Sequence, residues 1–111
     1  MKYADVLRLA KAFEGLEEST SYGTPALKLR GKLVTRLKED GVTLVVRVDP
    51  AARDALLSAR PKTFFVTDHY VGYPFLLVDL KTVKVAELRG LLEDAIREVA
   101  PKPKAKRARK R

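Results

Sequence analysis

The chain has no cysteine and no tryptophan, and only one histidine. Without cysteine there are neither disulfides nor thiolate metal sites, which points to a reducing compartment, and the expected location is the cytoplasm. No apolar run approaches the length needed to cross a bilayer. Asp5, Arg8, Lys11 and Glu14 interrupt the N-terminal stretch where a signal peptide would carry its apolar centre. The expectation is a chain with no membrane partner. Histidine pairs with metal-ligand spacing, glycine-rich phosphate loops and nucleophile elbows are all absent from the sequence, so neither a metal nor another cofactor is expected.

What is present is 111 residues, 46% of them hydrophobic, enough for one domain with a core and too few for two. The net charge is +9, but seven of the 23 basic residues fall in the last eleven positions, with no acid among them. The first 100 residues therefore carry sixteen basic and 14 acidic side chains, a balance of only +2. Lys102, Lys104, Lys106, Arg107, Arg109, Lys110 and Arg111 alternate with Pro and Ala and have no large apolar neighbour, so 101–111 is expected to be a disordered basic tail on a domain at 1–100.

The organising stretch is 21–48, which reads as three strands joined by glycine turns. Alternation puts Leu27, Leu29, Leu33, Leu37, Val42, Leu44 and Val46 on one face. Lys28, Arg30, Val34, Arg36, Lys38, Thr43, Val45 and Arg47 fall on the other. Keeping Leu27, Leu29 and Leu33 together requires an odd loop, which a three-residue turn at Arg30-Gly31-Lys32 supplies, while Lys38-Glu39-Asp40-Gly41 joins the next pair. One face is then a core, and the other is basic and exposed.

Around this meander, apolar spacing predicts a helix over 3–16 that Gly15 can end, and a short first strand at 17–21. Asp49-Pro50 pairs a capping carboxylate with proline at the first helical position, so 51–60 is a short helix. Strands are expected at 63–66 and 75–80. A closing helix over 85–99 carries the stripe Leu88, Leu91, Leu92, Ala95, Ile96 and Val99. The fold class is α+β: a mostly antiparallel sheet of about five strands, packed on one face by the N- and C-terminal helices, with a short helix between strands.

For chemistry, the best constellation is Asp68-His69-Tyr70 with Tyr73, which could transfer a proton but reads more simply as a hydrogen-bonded turn, with His69 structural. Tyr22, Tyr70, Tyr73 and Phe75 could stack on bases or pack the loops onto the sheet. The basic residues could meet phosphate, or simply wet one side of an antiparallel sheet.

Taken together, the Tyr22-Gly23-Thr24-Pro25 turn, the Leu29-Arg30-Gly31-Lys32 hairpin, the Tyr70-Val71-Gly72-Tyr73-Pro74 loop and the closing helix resemble the MmcQ/YjbR family of small bacterial proteins. The resemblance implies an α+β fold and DNA binding through a double wing of hairpin loops. The wings would be the turns at Arg30-Gly31-Lys32 and Lys38-Glu39-Asp40-Gly41, although Glu39 and Asp40 would repel phosphate at the second. The sequence-level expectation is thus a non-enzymatic DNA-binding protein. It contacts mainly the phosphate backbone, without sequence preference, through Lys28, Arg30, Lys32, Arg36, Lys38 and Arg47 together with the seven tail cations. The alternative is a protein-interaction or chaperone-like module, partnered by a second copy or another protein through an apolar centre at Val34 and Val45, with the tail alone attracting nucleic acid.

Overall fold

The structure, a computed structural model, describes residues 1–70 and 72–100; for His69 only the backbone is described. The expectations for 101–111 and for the His69 side chain lie outside the described residues. Along the chain run α1 (Tyr3–Ala10), β1 (Leu16–Ser21), β2 (Thr24–Leu29), β3 (Lys32–Leu37), β4 (Thr43–Arg47), α2 (Pro50–Ala59), β5 (Phe64–Phe65), a 3₁₀ turn (Asp68–Tyr70), β6 (Phe75–Asp79) and α3 (Val85–Val99). The sheet has six strands in the order β1-β2-β3-β4-β6-β5, with every neighbouring pair antiparallel. The α+β class holds. The count is six strands instead of about five, because β1 joins the ladder as a full six-residue edge strand and β5 forms the other edge.

The turns explain the register. Ser21 pairs with Thr24 and Leu29 with Lys32, so two-residue turns join β1 to β2 and β2 to β3. Tyr22-Gly23 and Arg30-Gly31 all have positive φ, the signature of type I′ turns whose twist matches that of the strands. The expected three-residue loop at Arg30-Gly31-Lys32 is therefore corrected to two residues. The odd residue sits inside β3: Leu27 pairs with Thr35 and Lys28 with Leu33, leaving Val34 as a bulge.

This bulge revises one alternation and keeps the rest. Val34 is fully buried in the main core, while Leu33 turns to the opposite face. Leu27, Leu29, Leu44 and Val46 are buried as expected; Leu37 packs on the core half-buried, and Val42 stays exposed at the turn. Leu88, Leu91, Leu92, Ala95 and Val99 of α3 and Val6 and Ala10 of α1 close over this face. Their boundaries follow local chemistry. Asp49 accepts hydrogen bonds from the amides of Ala51 and Ala52 to start α2, and the Lys84 amide donates to Glu87 Oε1 to start α3. Helix α1 stops at Ala10, short of the expected Leu16. Its last turn tightens through bonds from Ala12 to Leu9 and Phe13 to Ala10, which keep Phe13 on the core while the chain turns toward β1. Gly15 is required there: its φ is +89°, and a Cβ would stand 2.9 Å from Leu29 Cδ1.

The second face is not an open basic surface. Tyr70 lies across it on Val45 and Leu77, with Phe65, Val66 and Phe75 around them. Val45, Thr43 and Arg36 are consequently buried, contrary to the expectation that the alternates would be exposed. The apolar centre expected at Val34 and Val45 is also absent from the surface, since one residue faces the main core and the other lies beneath Tyr70. No described helix is long and apolar enough to cross a membrane.

Val34→Ala should lower unfolding stability in urea by about 2 kcal/mol, and Leu33→Ala by less than half of that, because only Val34 is enclosed in the core. The reverse order would restore simple alternation and remove the bulge.

Candidate nucleic-acid interface

The six folded-domain cations expected to meet phosphate separate into two groups. Arg30 and Lys32 are exposed at the β2–β3 tip and form no ion pair among the described residues. Arg30 itself has φ +52°, a left-handed conformation that arginine tolerates poorly, so the turn presents this side chain at a conformational cost. Lys28 lies inward on β2, half-buried and directly across from Glu17 of β1, which offsets its charge.

The remaining three cations are built into the second face. Arg36 is 5% exposed; its Nη2 donates to Tyr70 Oη at 2.8 Å, and its Nη1 to Thr24 Oγ1 at 3.1 Å and the Leu37 carbonyl at 3.4 Å. The nearest acid, exposed Glu39, stands 3.7 Å from Nη1. The guanidinium is therefore held by neutral acceptors more than by a carboxylate. Arg47 donates from Nε to the Leu33 carbonyl at 2.8 Å and lies 5.0 Å from the Phe75 ring centre; Lys38 Nζ lies 5.9 Å from that of Tyr70. Tyr70 and Phe75 meet edge to face at 6.2 Å.

Within the expected proton-transfer cluster, Tyr70 is the acceptor that closes over Arg36, while Asp68 is exposed. Among the described residues no group of three or more His, Cys, Asp or Glu side chains is placed to hold a metal ion. In the expected second wing, Asp40 is exposed but closes its own turn: it accepts from the Val42 and Thr43 amides at 2.9 Å each and from Thr43 Oγ1 at 2.6 Å. Burial pushes its carboxyl pKa up, but these three hydrogen bonds, with Lys38 nearby, outweigh it and leave the pKa below the ordinary value.

Sequence reasoning did not find that Arg36 and the tyrosines share a cleft. Tyr22, Arg36, Lys38, Tyr70, Tyr73 and Phe75 bound a concave site of about 630 Å³. The Arg36 guanidinium carbon lies 5.2 Å from the Tyr22 ring centre, and Arg53 of α2 fixes the Tyr73 carbonyl at 2.7 Å. The sequence signal was the Tyr-Gly pair itself, since a type I′ turn normally takes Asn or Gly at its first central position.

A family model described as YjbR matches residues 11–97. Three curated mycobacterial relatives match a shorter stretch: the uncharacterized proteins Rv2570 and MT2646 of Mycobacterium tuberculosis and Mb2600 of Mycobacterium bovis. Each is 40% identical over 58 residues, 51% of this chain and 45% of the relative. The match thus takes in less than half the length of each.

Two outcomes follow from these contacts. Arg36→Ala should cost about 2–3 kcal/mol of stability by thermal or urea unfolding, and a double-mutant cycle with Tyr70→Phe should show coupling of about 1 kcal/mol; additivity would detach the two residues. Asp40→Ala should cost about 1 kcal/mol at neutral pH. A carboxylate with a lowered folded pKa stabilises above its unfolded pKa and loses that effect as pH falls through the folded value, so wild type and variant should converge in acid below the usual Asp range.

Proposed function

The chain belongs to the YjbR family, and from that premise we propose that it is a non-enzymatic, cytoplasmic nucleic-acid-binding protein whose β2–β3 hairpin and basic tail hold DNA phosphates. The observation that carries this reading is the hairpin tip. Arg30 projects from the two-residue turn and Lys32 from the first position of β3 beside it, and Arg30 occupies a backbone position that asparagine would fill at lower cost. Cations held on a rigid element and free of acidic partners suit phosphate contact, which positions a protein on DNA without reading sequence. Arg36 and Arg47 leave the contact set on this reading, because their donors are spent on Tyr70, Thr24 and backbone carbonyls. The second turn supports it less well, since Asp40 closes its own loop and Glu39 stays exposed beside it.

Counterion release separates tail from hairpin. Each phosphate neutralised on duplex DNA steepens the dependence of log affinity on log salt by about 0.9, so half of the seven tail cations would contribute a slope of roughly three, and Arg30 with Lys32 about two. Removing 101–111 should weaken duplex binding and flatten the slope without changing the unfolding midpoint. In the truncated chain, Arg30→Ala with Lys32→Ala should reduce the remaining binding about tenfold or more at low salt. Residual binding indifferent to that pair would instead identify an interaction module on which the tail is an appended anchor.

A further inference from the structure

The cleft beside Arg36 extends the nucleic-acid reading and rests on it. Tyr22 is the first central residue of the β1–β2 turn, with φ +53°, where asparagine or glycine would relieve the backbone. Its ring is 83% exposed, so packing does not explain the residue. One face of the ring meets the Arg36 guanidinium at 5.2 Å, which fixes the ring's orientation and leaves its other face open. Tyr73, on a distant segment of the same cleft, is 60% exposed. Between them Val45 and Phe75 form an apolar floor. The lining carries two cations, the half-buried Lys38 and the buried Arg36, against the acid Glu39.

Two exposed aromatic rings above an apolar floor, in a cleft whose lining is net positive, match the chemistry of an unstacked base and its phosphate. We propose that this cleft receives a nucleobase of a single strand, stacked on Tyr22 and Tyr73, with Lys38 facing the adjoining phosphate. A base inside a duplex cannot enter, because its faces are already covered by its neighbours. The site therefore assigns the protein a preference for single-stranded over paired DNA that the hairpin cations alone would not produce.

The test compares three fluorescein-labelled probes of about 12 nucleotides, a length within the usual single-strand footprint: an oligothymidylate, an abasic strand with the same phosphates, and a duplex. Anisotropy titrations of the full chain should show oligothymidylate binding about tenfold tighter than the abasic strand, the effect of stacking one base. Tyr22→Asn, which relieves the turn and so offsets the loss of the ring's contact with Arg36, should stay folded and erase most of that preference. Tyr73→Ala should do likewise, with abasic and duplex binding unchanged within about twofold. Equal affinity for the thymidylate and abasic strands, or a preference that survives Tyr22→Asn, overturns the cleft assignment while duplex binding leaves the hairpin reading in place. Failure to bind any of the three overturns both. Thymidylate preference without duplex binding supports the cleft and transfers the hairpin contacts to single strands.

Discussion

One inserted residue in β3 decides which chemistry lies on which side of the sheet. Given the two-residue turn at Arg30-Gly31, an unbulged ladder would place Val34 opposite Leu27, Thr35 opposite Ala26, and Arg36 beyond them on the core face. A guanidinium beneath α1 and α3 would have no acceptors there, and its burial would be prohibitive. The bulge at Val34 lets Val34 and Thr35 both serve the core side, returns Leu37 to it, and delivers Arg36 to the opposite face. Thr35 accommodates its own burial by donating from Oγ1 to the Val45 carbonyl at 2.7 Å. The hydrophobic pattern and the charge pattern of the strand become compatible only through that extra residue.

Once on the second face, Arg36 organises what covers it. Buried charge is tolerable where hydrogen bonds replace water, and here Tyr70, Thr24 and a carbonyl of its own strand do so. Tyr70 arrives on the 3₁₀ turn, so satisfying the guanidinium and closing the small core over Val45 and Leu77 are the same event. Three cations on this face are seated on rings: Arg36 on Tyr22, Lys38 on Tyr70 and Arg47 on Phe75. Such pairs contribute about 0.5–2 kcal/mol each, depending on desolvation. They explain why a strand face rich in basic residues holds together rather than repelling itself.

Local signals were legible in the sequence where one stretch contained both the pattern and its termination. Helix α3 was readable because its apolar stripe runs unbroken from Leu88 to Val99. Asp49-Pro50 marked α2 because capping needs only adjacent residues. The bulge was not legible. Turn parity requires an odd residue somewhere between Leu29 and Leu37, but alternation cannot say whether the turn or the strand absorbs it. The covering of the second face was beyond reach for a different reason, since Tyr70 and Arg36 are 34 residues apart and nothing near either one announces the other. The aromatic residues of the cleft were visible individually, and their convergence was not.

The two type I′ turns bracket β2, with Tyr22 before it and Arg30 after it, and this spacing bears on how the hairpin tip and the cleft could act together. Six residues at about 3.3 Å each set the turns roughly 20 Å apart. A strand of nucleic acid rising about 3.4 Å per nucleotide would cover that span in roughly six nucleotides, and a more extended single strand in fewer. One short segment could therefore lay a phosphate at Arg30 and a base at Tyr22. A duplex could satisfy the first contact only. Both turns use a costly left-handed residue to present an exposed side chain, and the strand between them sets their separation. On the proposed reading, a fixed spacing of that kind would lower the ordering cost of binding, and two individually weak contacts would reinforce one another on a single strand.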